Sequence, residues 1–430
     1  MITTTIVEFA AYSTPCKANL KARDILKLSF LDWMACGLAG TDEPVSRITR
    51  NMVTDEGGNG TASLLGGDKA PARSAALVNG ATSHALDYDD THFAHIGHPS
   101  VAVISAALAV GEAVDASGED LQFAALIGAE ASVRIGQWLG RNHYQTGFHQ
   151  TATAGAFGAG LAAARLLGLD AKGCAMVLGL LATRASGLKS QFGTMGKPFN
   201  AGLAASNGVE AAQLVHAGFV ANPDALECAQ GFGPTHAGEA DEEVIVSLGD
   251  NWIFESVSHK FHACCHGLHA VLEAAATLQV DPAQIAAIHV RTNPRWMTVC
   301  NQTEPDTGLG AKFSYATVLP MHFLGHDTAR LDSYTDVLCA DAQVQALRAK
   351  VQVTPDPEIS ETGTHLTVRL ADGRALEATH DLNAPQSYAQ REGKVRAKAA
   401  SLLGRDRAEV LWGLAKADAS ARQIGRRLRG

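Results

Sequence analysis

Aromatic side chains are scarce in this 430-residue chain, which has only 14 Phe, 6 Tyr and 5 Trp. Glycine, by contrast, occurs 42 times, and alanine is conspicuous throughout the first half of the sequence. Side chains of this size let helices approach one another closely. The composition therefore predicts a densely packed, largely helical protein.

Basic residues are also fewer than acidic ones. The 35 Lys and Arg are outnumbered by 44 Asp and Glu, which gives a net charge of −9. Such a chain has no general attraction for phosphate backbones or anionic lipid, so we expect neither nucleic acid nor a membrane surface as a partner. Any anion that the protein binds must be held by local groups.

Long apolar runs and paired cysteine motifs are missing. Every apolar stretch is interrupted by charge before ~18 residues, and the first residues lack a basic region followed by an apolar core. The eight cysteines form neither a disulfide framework nor C-x-x-C knuckles, and stand at positions 16, 36, 174, 228, 264, 265, 300 and 339. We therefore expect a reduced, cytoplasmic protein.

Apolar residues recur with helical spacing up to about residue 260. This pattern predicts helices at 3–12, 19–39, 43–54, 71–84, 99–115, 119–138, 151–167, 171–186, 198–217 and 222–228. Alternating patterns then predict strands at 285–292, 350–356, 364–373 and 374–381, with a hairpin turn at Asp372-Gly373. Two further helices are expected at 313–324 and 333–349, and the tail from Gly393 is again helical.

This order of elements predicts a mainly α protein with an inserted α+β domain. We expect a large helical domain built from both chain ends, residues 1–267 and 391–430. A smaller lid domain with a short antiparallel sheet is expected at 268–390.

A basic or imidazole side chain stands just before each of four predicted helices. His98 and Lys197 each precede a proline, His149 precedes a run rich in glycine and alanine, and Lys260 lies shortly before a helix predicted at 264–278. A helix start carries unpaired N–H groups and about half a positive charge, and its field favours the neutral form of a nearby base. Four such starts around one cavity would suit a small polycarboxylate. The alternative is that each is an ordinary capping position.

The segment from His84 to His98 contains three Asp and four His within 15 residues. A calcium loop is excluded, because His92 stands where the sixth-position glycine belongs and His98 where the closing glutamate belongs. A transition-metal site, a polar loop of capping turns, and a catalytic loop that hydrogen-bonds a substrate remain open. We favour the catalytic loop.

Two other candidates carry weaker signals. His262 and His266 are four residues apart as in a zincin, but no Glu follows His262, and Cys264 and Cys265 are more typical of small buried hydrophobes than of nucleophiles. Lys260 nearby would lower a thiol pKa and keeps cysteine chemistry as an alternative. Tyr144 would serve as an acid or base if a lysine lies against it, and is otherwise a half-buried aromatic.

Taken together, these segments resemble the MmgE/PrpD family. The matching stretches follow the family's order over most of the chain, at 84–112, 147–170, 193–219, 259–275 and 311–326. The resemblance implies a helical domain with an α+β lid, usually a homodimer, and no metal or organic cofactor. Family members include dehydratases, decarboxylases and epimerases that act beside a carboxylate of a small di- or tricarboxylic acid.

The resemblance also implies site residues. The family's active-site positions fall on Asp87, Thr91, His98, His149, Lys197 and Lys260. We expect Lys197 and Tyr144 to remove and return the α-proton of the substrate, with His98 and His149 as further catalytic groups. Substrate binding is expected from Asp87, Thr91, Lys260, His266 and Gln191.

Two departures from the dehydratase-like pattern bear on the substrate. His266 replaces an arginine and Asn200 replaces a histidine, and loss of a bidentate arginine suggests a less charged substrate than a tricarboxylate. The chain is also shorter than the dehydratases and decarboxylases of the family, and it looks similar to iminodisuccinate epimerase. We therefore expect epimerisation of an imino- or amino-linked dicarboxylate, with a 2-methylcitrate-type dehydratase or a cis-aconitate-type decarboxylase as the alternative.

Overall fold

The computed structural model describes residues 1–15 and 19–429, so Cys16 lies outside the described part. The chain divides into two compact units. The helical unit comprises residues 1–259 together with 395–430, and the mixed unit comprises residues 260–394. The mainly helical architecture with a smaller mixed unit agrees with the sequence prediction. The finer domain boundaries at 267/268 and 390/391 stay a prediction.

Ten helices precede the mixed unit in the described residues. They are α1 (Ile2–Tyr12), α2 (Leu20–Ala39), α3 (Pro44–Glu56), α4 (Ala72–Ser83), α5 (Pro99–Val114), α6 (Gly118–Thr146), α7 (Gln150–Leu166), α8 (Ala171–Leu181), α9 (Gly196–His216) and α10 (Phe232–Thr235). A two-residue antiparallel ladder, β1 (Ala62–Ser63) with β2 (Lys69–Ala70), lies between α3 and α4. Side-chain caps fix several starts: Asn19, Ser117 and Asp170 each accept a backbone N–H of the first turn.

Glycine brings the central helices into close contact. A Cβ atom placed on Gly158 of α7 would lie 2.3 Å from the carbonyl oxygen of Gly128 in α6, and one on Gly202 of α9 would lie 2.3 Å from the carbonyl oxygen of Leu77 in α4. Any larger residue would push these backbones apart. Helices α5 and α7 are in turn buried along almost their whole length. The glycines at 155, 158 and 160 all lie inside α7 and are buried there.

Several predicted helices in this unit have different bounds. The helix predicted at 222–228 is wrong: the chain turns there, and the amides of Phe232 and Gly233 bond the carbonyls of Ala225 and Leu226. Helix α8 ends at Leu181, before its predicted end at 186, and the chain continues in a turn in which the amides of Arg184 and Ala185 bond the carbonyl of Leu181. Helix α6 runs beyond its predicted end across a break at Gly140, where φ is 76°.

The mixed unit is built around a four-stranded sheet with strand order β4-β3-β5-β6. The strands are β3 (Ile285–Thr292), β4 (Val351–Pro355), β5 (Gly363–Leu370) and β6 (Ala375–Asp381). Two of the three strand pairs are antiparallel as expected, and β4 runs parallel to β3, so the sheet is mixed. A parallel neighbour needs a long crossover, and the helices between these two strands supply it. The turn at Asp372-Gly373 joins β5 to β6 as predicted, with φ of 89° at Gly373.

The helices of the mixed unit are shorter than expected. They are α11 (His269–Ala275), α12 (Pro294–Val299), α13 (Gly308–Ala311), α14 (Tyr315–Phe323), α15 (Asp336–Ala340) and α16 (Ala342–Arg348). The helix predicted at 333–349 is divided because Asp341 adopts an extended conformation and caps α16 through the amides of Gln343 and Val344.

Three helices complete the chain: α17 (Tyr388–Leu403), α18 (Arg405–Lys416) and α19 (Ala421–Leu428). Ser420 and Gln423 form a capping box at the start of α19. Within the described residues, no helix is both long and apolar enough to cross a membrane.

Burial of neutral histidines makes the helical unit sensitive to acid. Burial lowers the pKa of His92 to about 4, and its Nε2 bonds the carbonyl of Ile253 at 2.9 Å. An unfolded chain binds a proton on this imidazole below pH ~6.5, whereas the folded chain does not until about pH 4, so stability is lost as the pH falls between these values. His92 therefore costs about 2 kcal/mol of unfolding free energy at pH 5.

We expect His92→Gln to reduce the fall in unfolding free energy between pH 7.5 and pH 5 by about 2 kcal/mol, as measured by urea denaturation at both pH values. The glutamine amide keeps a donor for Ile253. The control His216→Gln changes an exposed residue of α9 and should leave the pH dependence as it is in the natural protein. Equal pH dependence in His92→Gln and the natural protein would contradict the prediction.

Candidate active site

The polar segment between α4 and α5 folds into a compact loop. Asp87 and Ile96 both adopt left-handed backbone conformations, with φ of 50° and 54°. The amide of Thr91 bonds the carbonyl of Ser258, and the amide of His92 bonds the carbonyl of Gly97. These contacts fold the loop back so that its histidines and carboxylates face one another.

Five side chains form a continuous chain of ion-pair contacts. Asp89 lies between two imidazoles, with 2.8 Å from Oδ1 to His84 Nδ1 and 2.8 Å from Oδ2 to His98 Nδ1. His98 Nε2 lies 3.3 Å from Asp87 Oδ1, and Asp87 Oδ2 lies 2.6 Å from Lys197 Nζ. We call these five residues, His84, Asp89, His98, Asp87 and Lys197, the imidazole–carboxylate chain.

The two ends of this chain differ in exposure. The side chains of His84 and Asp89 are 0% and 1% exposed, whereas those of Lys197 and Asp87 are 17% and 40% exposed. A solute can therefore reach the Lys197 end, while the His84 end is fixed in the core. This difference in exposure suits a chain of residues in which Lys197 reacts with a solute and the buried residues orient it.

Three helix N-termini meet at this chain. His98 is the N-cap of α5, His149 is the N-cap of α7, and Lys197 lies in the first turn of α9. The ring of His84 is 4.5 Å from that of His98 and 6.1 Å from that of His149, measured between centroids. Three of the four predicted helix starts therefore come together, and their dipoles add positive potential to the charge of Lys197.

The protonation states follow from burial and from these neighbours. Burial, together with the positive charge of Lys197, holds the pKa of His149 well below its ordinary value, so its imidazole is neutral at neutral pH. Although burial opposes ionisation of Asp89, the adjacent imidazoles of His84 and His98 hold its pKa well below the usual range. The site thus contains a neutral base beside a fixed carboxylate.

Two neighbours shape the surroundings of His149. The side-chain amide nitrogen of Asn200 lies 3.4 Å from His149 Nδ1, which leaves the proton of the neutral imidazole on Nε2. The ring of Phe192 packs edge-on against His149 at 4.9 Å and lies 5.3 Å from Lys197 Nζ. Phe192 thus gives the site an apolar wall beside the ammonium group.

Four of these residues also have the geometry of metal ligands. One donor atom from each of His84, Asp87, Asp89 and His98 lies within 4.8 Å of the others. The ammonium of Lys197, however, already contacts Asp87, and both imidazoles direct Nδ1 at the same carboxylate. Internal cations and donors thus occupy the carboxylate oxygens that an ion would need, which favours the acid–base interpretation of the loop over the transition-metal alternative.

The remaining predicted residues of the helical unit lie in different settings. Tyr144 is half-buried near the end of α6, and the lysine against its ring is Lys189, whose Nζ is 3.8 Å from the ring centroid. Thr91 pairs with Ser258 as an isolated bridge. Gln191 is exposed in a 3₁₀ turn, and its side-chain oxygen accepts from Thr194. Their roles in the site stay predictions.

Lys260 and His266 belong to the mixed unit, where both are buried. The expected helix start after Lys260 is wrong. The amides of Ala263 and Cys265 bond the carbonyls of Thr328 and Lys312, so the segment is not α-helical before α11 begins at His269. His266 lies in a 3₁₀ turn, with its ring 4.7 Å from that of His269. The roles of Lys260 and His266 in binding substrate likewise stay predictions.

Sequence reasoning did not select His84, Asp89 or Lys189 as site residues. His84 and Asp89 lie within the His- and Asp-rich segment that was identified, but nothing local shows which of its three aspartates lies between imidazoles. The only sequence signal for the pairing of His84 with Asp89 was their separation by five residues across a turn. Lys189 does not precede a predicted helix, so no sequence signal indicated it as a site residue.

The fold and the site define a mainly helical protein with a smaller mixed unit and a cluster of acid–base side chains at converging helix N-termini. The MmgE/PrpD N-terminal domain matches residues 4–245 and the MmgE/PrpD C-terminal domain matches residues 262–417. The chain therefore belongs to the MmgE/PrpD family.

Curated relatives include three proteins named cis-aconitate decarboxylase. The chain is 28% identical to the one from Aspergillus terreus, over 79% of this chain and 76% of that protein. It is 27% identical to the Homo sapiens protein, over 91% of this chain and 86% of that protein. It is 27% identical to the Mus musculus protein, over 96% of this chain and 90% of that protein.

Proposed function

We propose that this protein is an enzyme that transfers a proton at a carbon atom next to a carboxylate, and that it decarboxylates a small tricarboxylic acid of the cis-aconitate type. The observation that carries the proposal is the imidazole–carboxylate chain ending on Lys197 at three helix N-termini. The names of the relatives support a lyase over the epimerase expected from the sequence.

Substrate binding uses the positive potential of this region. Carboxylates of the substrate lie against the N-termini of α5, α7 and α9 and near the Lys197 ammonium, because helix starts and cations both favour anions. A protein with net charge −9 thus holds a polyanion by local groups alone.

Decarboxylation breaks a carbon–carbon bond and leaves the electron pair on the remaining carbon, which must then accept a proton. Lys197 is suited to both needs: its ammonium stabilises the developing negative charge and can donate the proton to carbon. Asp87 holds Lys197 in place, His98 holds Asp87, and Asp89 holds His98. His149, being neutral, can orient a carboxylate through its Nε2–H.

Epimerisation of an imino- or amino-linked dicarboxylate is the second candidate. The observation that favours it is Asn200, a neutral amide against His149 where the dehydratase-like pattern has a histidine. A less charged site suits a substrate with fewer carboxylates. In this case Lys197 and Tyr144 would act on opposite faces of one carbon, with Lys189 beside the phenol ring.

Incubation in D₂O separates these reactions. With cis-aconitate, we expect release of CO₂ and a product that has lost one carboxyl group and gained one deuterium. An epimerase would instead incorporate deuterium at the α-carbon of a single stereoisomer of iminodisuccinate and racemise it without other change in mass. Absence of CO₂ release, exchange and alkene formation with cis-aconitate, iminodisuccinate and 2-methylcitrate would overturn the proposal. A homodimer is also expected, and light scattering measures it.

A further inference from the structure

A buried lysine from the other end of the chain contacts the loop that carries the site. Lys398 lies in α17 and its side chain is 1% exposed. Its Nζ donates to the carbonyl oxygen of Tyr88 at 2.5 Å and to Asp32 Oδ1 in α2 at 2.5 Å. The same ammonium lies 4.1 Å from the centroid of the Tyr88 ring. Tyr88 is thus held through both its backbone and its side chain.

The position of Tyr88 explains why this contact bears on the site. The residues on either side are Asp87, which pairs with Lys197, and Asp89, which lies between His84 and His98. The carbonyl that accepts from Lys398 belongs to the peptide unit joining Tyr88 to Asp89. Fixing this peptide plane constrains the backbone at Asp89 directly, and it constrains Asp87 through Tyr88, whose ring the same ammonium contacts.

The local backbone needs such support. Asp87 has a φ of 50°, a left-handed conformation that is uncommon in residues with a Cβ, although Asp adopts it more readily than most. Three carboxylates, those of Asp32, Asp89 and Asp90, are also buried close together, each 1% exposed. Burial, with the nearby charge of Asp32, raises the pKa of Asp90 to about 7. Lys398 supplies a buried positive charge to this acidic region.

We propose that Lys398 is a positioning residue for the reaction: by binding the Tyr88 carbonyl against Asp32, it holds Asp87 and Asp89 in the geometry that orients Lys197 and His98. The inference rests on the proposed function for its kinetic consequence. A purely stabilising role for the Lys398–Asp32 pair is the alternative, and the two make different predictions.

The test uses Lys398→Met combined with Asp32→Asn. Removing the lysine alone would leave a buried carboxylate unpaired and destabilise the fold, whereas removing both partners of a buried pair is often tolerated. The double variant leaves the Tyr88 carbonyl without its donor. We expect it to unfold cooperatively, to lose about 10²-fold in kcat, and to change KM much less, since a misplacement of about 1 Å in a catalytic group has this effect.

Hydrogen exchange gives a readout that needs no substrate. Amides of the loop, including those of Asp87, Thr91 and His92, donate to backbone carbonyls and should exchange faster in the double variant, while the amides of α7 keep their protection. The matched control is Arg396→Met with Glu409→Gln, which removes an exposed ion pair involving the same helix. It should change neither the loop exchange nor kcat.

Unchanged exchange in residues 84–98 of the folded double variant would overturn the proposal, as would kcat equal to that of the natural protein. If the natural protein turns over none of the tested acids, only the proposed function fails, and the exchange measurement still decides whether Lys398 positions the loop.

Discussion

Replacing Lys197 with methionine should reduce turnover by about 10²–10⁴-fold and leave substrate affinity much less changed. Methionine keeps an unbranched stem of similar length but has neither charge nor proton. The ammonium is the exposed end of the imidazole–carboxylate chain, 2.6 Å from Asp87, and is the group best placed to protonate a carbanion. Steady-state kinetics with the substrate identified in D₂O, together with the Kd of a non-reacting tricarboxylate, measures the two effects separately.

Lys197→Arg refines the same prediction. Arginine keeps the positive charge and the pairing with Asp87 but remains protonated at all relevant pH values, so it can bind the anion without transferring a proton. We expect affinity close to that of the natural protein and kcat close to that of Lys197→Met. The control Lys172→Met removes an exposed lysine of α8. A fall in affinity alone for both Lys197 variants would favour a carboxylate-binding protein over an enzyme.

The local part of this site was predictable from the sequence. Pro99 marks the start of α5, and the glycine- and alanine-rich run after His149 marks α7, because the preferences of a helix start lie in adjacent residues. Lys197 was found in the same way, although α9 begins at Gly196, one residue before it. That these starts meet could be proposed, since small residues allow α5, α7 and α9 to pack closely.

Features set by distant residues were not predictable. The segment after Lys260 reads as helical, but its amides bond carbonyls of Lys312 and Thr328, more than 40 residues further along the chain. Strand β4 alternates like its neighbours, and alternation does not show whether a strand runs parallel or antiparallel. Lys398 stands 310 residues from Tyr88 in sequence, and nothing around it distinguishes it from the other basic residues of the tail.

The second large effect on turnover is expected from replacing Asp89. Asp89→Asn should lower kcat by about 10³–10⁴-fold, because a neutral amide in place of a carboxylate behind a catalytic histidine imposes the wrong tautomer. The carboxylate accepts from Nδ1 of His84 and lies 2.8 Å from Nδ1 of His98, whereas asparagine offers one acceptor and one donor group. When the amide nitrogen faces His98, that imidazole must carry its proton on Nε2 instead of Nδ1, so that Nε2 faces Asp87 as a donor.

Asp90→Asn is the matched control for Asp89→Asn. It removes a carboxyl group from the same loop at the same depth, but Asp90 Oδ2 accepts from the hydroxyl of Ser100 rather than from an imidazole. We expect Asp90→Asn to keep kcat within about tenfold of the natural protein and Asp89→Asn to fall far below it, with cooperative unfolding in both. Similar kinetics for the two variants would mean that the loop needs its buried charge but not the pairing of Asp89 with the histidines. The contrast between two adjacent aspartates therefore tests whether the imidazole–carboxylate chain acts in proton transfer or only in folding.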